Sequence, residues 1–126
     1  MSVTISGIQV VGRGDGTRLG FPTINLDTQN ISPDLYGVWF SYCNTKMHKS
    51  IPSITHIGPS TLFNQIKATV EVHILDWDDA YGAGSYNVEL LELHRTTKDM
   101  SSEQELIQEI SADVASAKQF FSRLHT

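Results

Sequence analysis

Residues 101–124 read SSEQELIQEISADVASAKQFFSRL. Within them Leu106, Ile110, Val114, Ala117, Phe121 and Leu124 recur at steps of 4, 4, 3, 4 and 3. That spacing puts them on one face of an α-helix of about six turns, expected over about 102–124. Ser101 and Ser102 stand three residues ahead of Gln104 and Glu105, which offers two overlapping capping boxes. Glu103, Glu105 and Glu109 near the start, and Lys118 and Arg123 near the end, suit the helix dipole. A single apolar stripe means a single packed face, so the rest of the chain must supply the surface that receives it.

Upstream, nothing keeps that period. Short apolar runs, Ile5 to Val11, Tyr36 to Tyr42, Val70 to Leu75 and Val88 to Leu93, are rich in β-branched and aromatic residues and are separated by glycine and turn residues. Each has strand length. The expectation is a small antiparallel sheet or barrel over about 1–95, with the helix lying against its outside. At 126 residues the chain suits one domain, spanning 1–126. Its apolar fraction of 40% is ordinary for a soluble protein with one core.

Composition excludes several functions. No apolar run is long enough to span a bilayer, and Met1–Ile5 lacks a basic region followed by an apolar stretch, so no membrane contact or export signal is expected. One cysteine, Cys43, forms neither an internal disulfide nor a multi-cysteine zinc site, and reads as a small packing residue. The expected location is therefore the cytoplasm. A net charge of −5 with only 9 Lys and Arg makes nucleic acid a poor partner.

The chemistry concentrates in two segments. The first runs Gly12-Arg13-Gly14-Asp15-Gly16-Thr17-Arg18-Leu19-Gly20-Phe21-Pro22-Thr23-Ile24-Asn25. Its glycines let backbone N–H groups approach a phosphate closely. The spacing is neither a dinucleotide fingerprint nor a Walker A loop. Composition alone suits a flexible hairpin connection at least as well, with Asp15-Gly16 as its turn pair. Thr23 and Asn25 are two apart, so in a strand they share one face. A hydroxyl and an amide oxygen there can hold Mg²⁺, or can simply bond neighbouring backbone.

The second segment is Ala68-Thr69-Val70-Glu71-Val72-His73-Ile74-Leu75-Asp76. Val70, Val72 and Ile74 share one face, Glu71 and His73 the other. A mid-strand carboxylate is a candidate general base, and equally a solvent-facing residue of a one-sided sheet. His73 reads as a polar residue of that face. Asp76, Asp78 and Asp79 lack the downstream pattern of a calcium loop and read as a solvated turn; Trp39 and Trp77 read as packing residues.

Taken together, these segments resemble the ATP-dependent riboflavin kinases, the flavokinases. The family's Leu-Gly-Phe-Pro-Thr-Ala-Asn is similar to Leu19–Asn25, with Ile24 in place of alanine. Its Gly-Val-Tyr strand is matched by Gly37-Val38-Trp39, its Ile-Gly turn by Ile57-Gly58, and its Glu-Val-His by Glu71-Val72-His73. An acidic stretch with Tyr81-Gly82, the pair His94-Arg95 and the helical Ile110-x-x-Asp113 follow in the family's order, so the resemblance runs from about Gly7 to Phe121.

The resemblance implies a six-stranded antiparallel Greek-key barrel with a long C-terminal α-helix across it. It implies an enzyme that converts ATP and riboflavin to FMN and ADP. By the match, Gly12, Arg13, Gly14, Gly16, Arg18, Gly20, Pro22 and Thr23 would cover the ATP phosphates, Thr23 and Asn25 would take Mg²⁺, and Glu71 would be the base. Arg95, Met100 and Leu106 would lie on the flavin side. The partners implied are small molecules only, with the chain a monomer or one module of a larger FAD synthetase-containing protein. The chain departs from the family in its displaced Arg18, in Thr61-Leu62-Phe63, in His94 for leucine and in Met100 for an aromatic. A barrel that binds flavin or nucleotide without turnover is the alternative function.

Overall fold

The computed structural model describes residues 3–10, 20–28, 31–60, 65–76 and 84–125. The strands are β1 (Val3–Val10), β2 (Ile24–Asp27), β3 (Gly37–Asn44), β4 (Ile51–Ser60), β5 (Gln65–Ile74) and β6 (Ser85–Arg95). A 3-10 turn, Pro33–Leu35, leads into β3, and one helix, α1 (Glu103–Leu124), follows β6. All neighbouring strands are antiparallel, and they close in the order β1-β2-β5-β4-β3-β6. β3, β4 and β5 form a meander and β6 returns to lie beside β3, which is a Greek key. The expected barrel and helix are thus present.

Strand alternation sorts the side chains into two clusters. Ile5, Ile24, Leu26, Cys43, Ile57, Val70, Val72, Ile74, Val88 and Leu90 fill the barrel. Val38, Phe40, Ile54 and Leu75 face outward and receive Ala117 and Phe121 of α1. Burying a side chain such as Phe121 contributes about 1.5–3 kcal/mol, so this outer cluster is what holds the helix down. Leu124, read as part of the apolar stripe, is 50% exposed; the stripe ends one turn earlier, at Phe121.

β4 carries no strand signal in the sequence, and Ile57-Gly58, which matches the family's Ile-Gly turn, lies inside it. The reason is polar content on the inner face. Ser53 and Thr55 point into the barrel beside Ser41, all fully buried. Ser41 Oγ lies 2.7 Å from Ser53 Oγ and 2.8 Å from Thr55 Oγ1, and Ser53 Oγ–H also donates to the Ser41 carbonyl at 3.1 Å. Hydroxyls that satisfy one another can be buried cheaply, but they erase the apolar alternation by which a strand is recognised.

β6 is bulged against β3. Trp39 pairs with Leu93 and Val38 with Arg95, so His94 has no partner position of its own. The bulge places two consecutive residues, His94 and Arg95, on the outer face under the helix. Gly37 lies beside it with φ 147; a Cβ there would come within 2.6 Å of Leu93 Cδ1 and 2.9 Å of the Arg95 carbonyl.

The helix start is a modified capping box. Ser102 is the N-cap and its Oγ accepts the Glu105 N–H at 3.1 Å. The Glu105 carboxylate reaches back to the N–H and hydroxyl of Ser101, not of Ser102. Those bonds hold its carboxyl below the usual carboxylate range. Burial raises the Cys43 thiol to about 11, so it stays protonated and packs as expected.

Candidate active site

One row of side chains runs across the outside of the barrel. Arg95 pairs with Val38, Val38 with His56, His56 with Glu71, Glu71 with Asn25 and Asn25 with Val10. The inward neighbours, Ile24, Leu26, Val70, Val72 and Ile57, are all in the core, so the row itself faces out. Strand closure therefore brings together a carboxamide, a carboxylate, an imidazole and a guanidinium from four different strands. Thr23, just ahead of β2, is half-buried.

The approach to β2 is pinned. His73 Nδ1–H donates to the Pro22 carbonyl at 2.8 Å, and the Phe21 ring meets the His73 ring edge-on at 6.0 Å. His73 is thus more than a polar surface residue: it sets where Pro22 and Thr23 stand relative to β5. Gly20, with φ 95 and open space around it, begins this described segment. Gly12, Arg13, Gly14, Gly16 and Arg18 lie outside the described residues, as do Trp77, Asp78, Asp79, Tyr81 and Gly82, and Thr61, Leu62 and Phe63.

Arg95 is held by the helix. Its Nε–H donates to Asp113 Oδ1 at 2.9 Å and an Nη2–H to Oδ2 at 2.8 Å, a bidentate pair. Asp113 is almost wholly buried, its side chain 5% exposed, and His94 Nε2 is also 3.3 Å from Oδ1. Both bulge residues therefore converge on one carboxylate. The face of His94 stacks on Phe40 at 4.7 Å. Met100 is half-buried in the connection between β6 and α1, and Leu106 is half-buried on the first turn of the helix. That connection passes back over β4, since a Cβ on Gly58 would meet the Thr97 methyl at 3.3 Å.

In the sequence, His56-Ile57-Gly58-Pro59 lacks the second histidine of a His-x-Gly-His nucleotidyl-transfer motif, so His56 carries no site signal of its own. In the fold it stands between Glu71 and the Arg95–Asp113 pair. Its side chain is 32% exposed, yet Nδ1 is shut off from solvent and has no hydrogen-bond partner among the described residues. Glu71 Oε2 stands 3.9 Å from it, beyond hydrogen-bond range. Burial, reinforced by the Arg95 charge and opposed by that of Asp113, lowers its pKa to about 4. The contact with Glu71 is therefore between a neutral imidazole and a carboxylate, not an ion pair, at neutral pH.

This has a consequence for stability. The unfolded chain takes up the His56 proton near its ordinary value of 6.5, whereas the fold holds it off until about 4. The stability tied to neutral His56 is complete above pH 6.5 and is lost as pH falls towards 4. With partial exposure discounted, about 2 kcal/mol should disappear across that window. Urea unfolding of the parent and of His56→Leu at neutral and acid pH checks this: the variant should lose less.

Asn25 offers a neutral oxygen on the face that carries Glu71, with the Thr23 hydroxyl two residues ahead in the chain, and a donor set of this chemistry fits Mg²⁺. That ion takes one or two protein oxygens and completes its octahedron with phosphate and water. Among the described residues, no group of three or more His, Cys, Asp or Glu is placed to hold a metal. No helix of the described residues is long and apolar enough to cross a membrane.

Comparison with known proteins points to one family. The flavokinase family model, described as riboflavin kinase, matches residues 1–121. The riboflavin kinase of Mus musculus is 31% identical over 122 residues, covering 89% of this chain and 76% of that protein. The Homo sapiens riboflavin kinase is 32% identical with the same coverage. The bifunctional riboflavin kinase/FMN adenylyltransferase of Escherichia coli strain K12 is 31% identical over 118 residues, covering 93% of this chain but 37% of that protein. A crystal structure named as a macrolide-efflux protein from Streptococcus pneumoniae superposes with a TM-score of 0.75. Its identity is 24%, and the match covers 91% of this chain and 38% of that one, which speaks for the fold alone.

Proposed function

The chain belongs to the riboflavin kinase family, and we propose on that premise that it transfers the γ-phosphoryl group of ATP to the ribityl 5′-hydroxyl of riboflavin, giving FMN and ADP. The observation that carries the reading is the register of β2 against β5, which sets Asn25 directly opposite Glu71 on the outer face. Phosphoryl transfer needs positioning and charge neutralisation more than covalent chemistry. A phosphate site and a proton acceptor on adjacent strands supply both.

Glu71 is assigned as the general base. As the ribityl oxygen forms its bond to the γ-phosphorus, the bond from that phosphorus to the β–γ bridging oxygen breaks and ADP leaves. The hydroxyl proton passes to a Glu71 carboxylate oxygen. Thr23 and Asn25 are assigned to the metal, and His73 keeps Thr23 in place through Pro22. Mg²⁺, when bound with ATP, supplies neutralisation of the phosphate charge that grows during transfer. The glycine segment ahead of β2 is assigned to the phosphates, and the connection bearing Met100, with Leu106 and Arg95, to the flavin side. The rigid barrel wall fixes the base while loops at its rim exclude water.

The test is direct. The purified chain is incubated with riboflavin, ATP and Mg²⁺ and the flavins are separated by chromatography. FMN should accumulate only when all are present. Riboflavin binding without any FMN would overturn the reading and leave a flavin-binding barrel.

A further inference from the structure

A cavity of about 490 Å³ lies between β6 and the C-terminal half of α1. That volume falls in the range of small-molecule sites, about 300–1,000 Å³. None of the residues assigned above to ATP, Mg²⁺, the base or the flavin lines it. Strand register explains its wall. Phe40 faces out beneath the helix and pairs with Glu92, and the bulge that follows turns His94 outward as well. Phe40 meets the His94 ring at 4.7 Å and the Phe120 ring at 4.8 Å, so three flat side chains in mutual contact form one wall. His94 and Phe120 are only half-buried. Leu124, the apolar residue that the helix seam leaves 50% exposed, lines the cavity too.

The polar part of the lining carries both signs. Glu92 supplies a carboxylate, Arg123 a guanidinium, and Ser116 and Gln119 groups that can donate or accept. Arg123 has another contact, but a guanidinium has five N–H groups and one contact does not use them all. A charged ligand would meet a like charge here as well as an opposite one. A purely aliphatic ligand would desolvate the polar groups and return nothing to them. A flat ring can stack on the aromatic wall, and a donor and an acceptor on its edge can answer Glu92 and Arg123. We propose that this cavity is a second small-molecule site, for an uncharged heteroaromatic ring with both donor and acceptor groups on its edge, the chemistry of a purine base.

The test is a titration of the isotopically labelled chain with 2-aminopurine free base, followed by backbone amide NMR. ADP, Mg²⁺ and riboflavin are present throughout to fill the sites assigned above. The inference does not rest on that assignment, since a chain that binds none of them gives the same readout at the cavity. Saturable shifts are expected at Glu92, His94, Ser116, Gln119, Phe120 and Arg123, half-complete below about 1 mM, as a well-fitting ring of about ten atoms allows. Benzoate and benzamidinium, flat rings of either charge, should bind about tenfold more weakly. Gln119 is exposed, so Gln119→Trp should block the cavity without unfolding the chain and weaken 2-aminopurine at least about tenfold. Glu92→Leu, also at an exposed position, should weaken it several-fold by removing the acceptor. Absence of saturable shifts at these residues overturns the site, as does parent-like affinity in both variants. Equal affinity for the charged rings overturns the ligand class.

Discussion

Glu71→Gln should reduce FMN formation by roughly 10²- to 10⁴-fold while leaving the fold and substrate binding intact. Glutamine keeps the shape of the side chain and an oxygen at the same place on β5, but its amide cannot take the hydroxyl proton. The exchange is on an outer, half-buried position next to Asn25 and His56, where no core contact is lost. The loss should fall on kcat, because the base acts in the transition state and not in holding riboflavin or ATP. Chromatographic FMN assays and fluorescence titration of riboflavin, run on the same preparation, separate the two. A Gln variant with more than about a tenth of the parent rate would remove Glu71 from the chemistry, since general base catalysis is worth more than that.

The second large effect concerns stability. Asp113→Ala should lower the free energy of unfolding by about 3 kcal/mol, because it takes the bidentate partner from the largely buried Arg95 guanidinium and leaves it the weaker contacts with Glu109 Oε2 at 3.9 Å and the Thr96 carbonyl. The His94 contact goes with it. Replacing both partners by apolar residues, Arg95→Met with Asp113→Leu, should recover most of that loss, since a packed apolar pair avoids the desolvation of two charges. Urea denaturation at neutral pH measures both. A single-variant loss below about 1 kcal/mol would mean that water replaces Asp113 around Arg95, as it does around an exposed ion pair. In the double variant, recovered stability with a raised KM for riboflavin is expected from the assignment of Arg95 to the flavin side.

The helix was the most legible element, because a 3.6-residue period over 22 residues has few competitors. Its caps and acidic start were legible for the same reason. The strands were visible where one face is uniformly apolar, as at Val70, Val72 and Ile74, and invisible where it is not. β4 turns Ser53 and Thr55 inward, and their satisfaction by Ser41 depends on a strand twelve or more residues away. That Thr23 and Asn25 would share one face, and that Glu71 lies on the face away from Val70 and Val72, followed from period 2 alone. Their meeting did not: it depends on β2 pairing with β5, a non-consecutive contact set by barrel closure. Asp113 breaks the polar-out rule of its helix, and its partners come from a bulge that breaks the strand alternation. Two local irregularities that answer each other across 18 residues cannot be read from either one. His56 was hidden in the same way, since its significance lies in the side chains of β5, β6 and α1 around it.

The Arg95–Asp113 pair has one more implication, for mechanics. Arg95 ends β6 and Asp113 lies inside α1, so residues 96–102 run between two points that are locked to each other. Further along, Lys98 Nζ–H donates to Glu109 at 2.7 Å and Ser101 is tied to Glu105. The connection is a short beam clamped at both abutments and braced along its span. Such a beam can bow at its centre, near Met100, but cannot swing away as a gate on a single pivot would. Under the proposed assignment of this connection to the flavin side, admission of a bulky ring becomes a matter of local flexing, and the stiffness of that flexing is set by a salt bridge outside the loop itself.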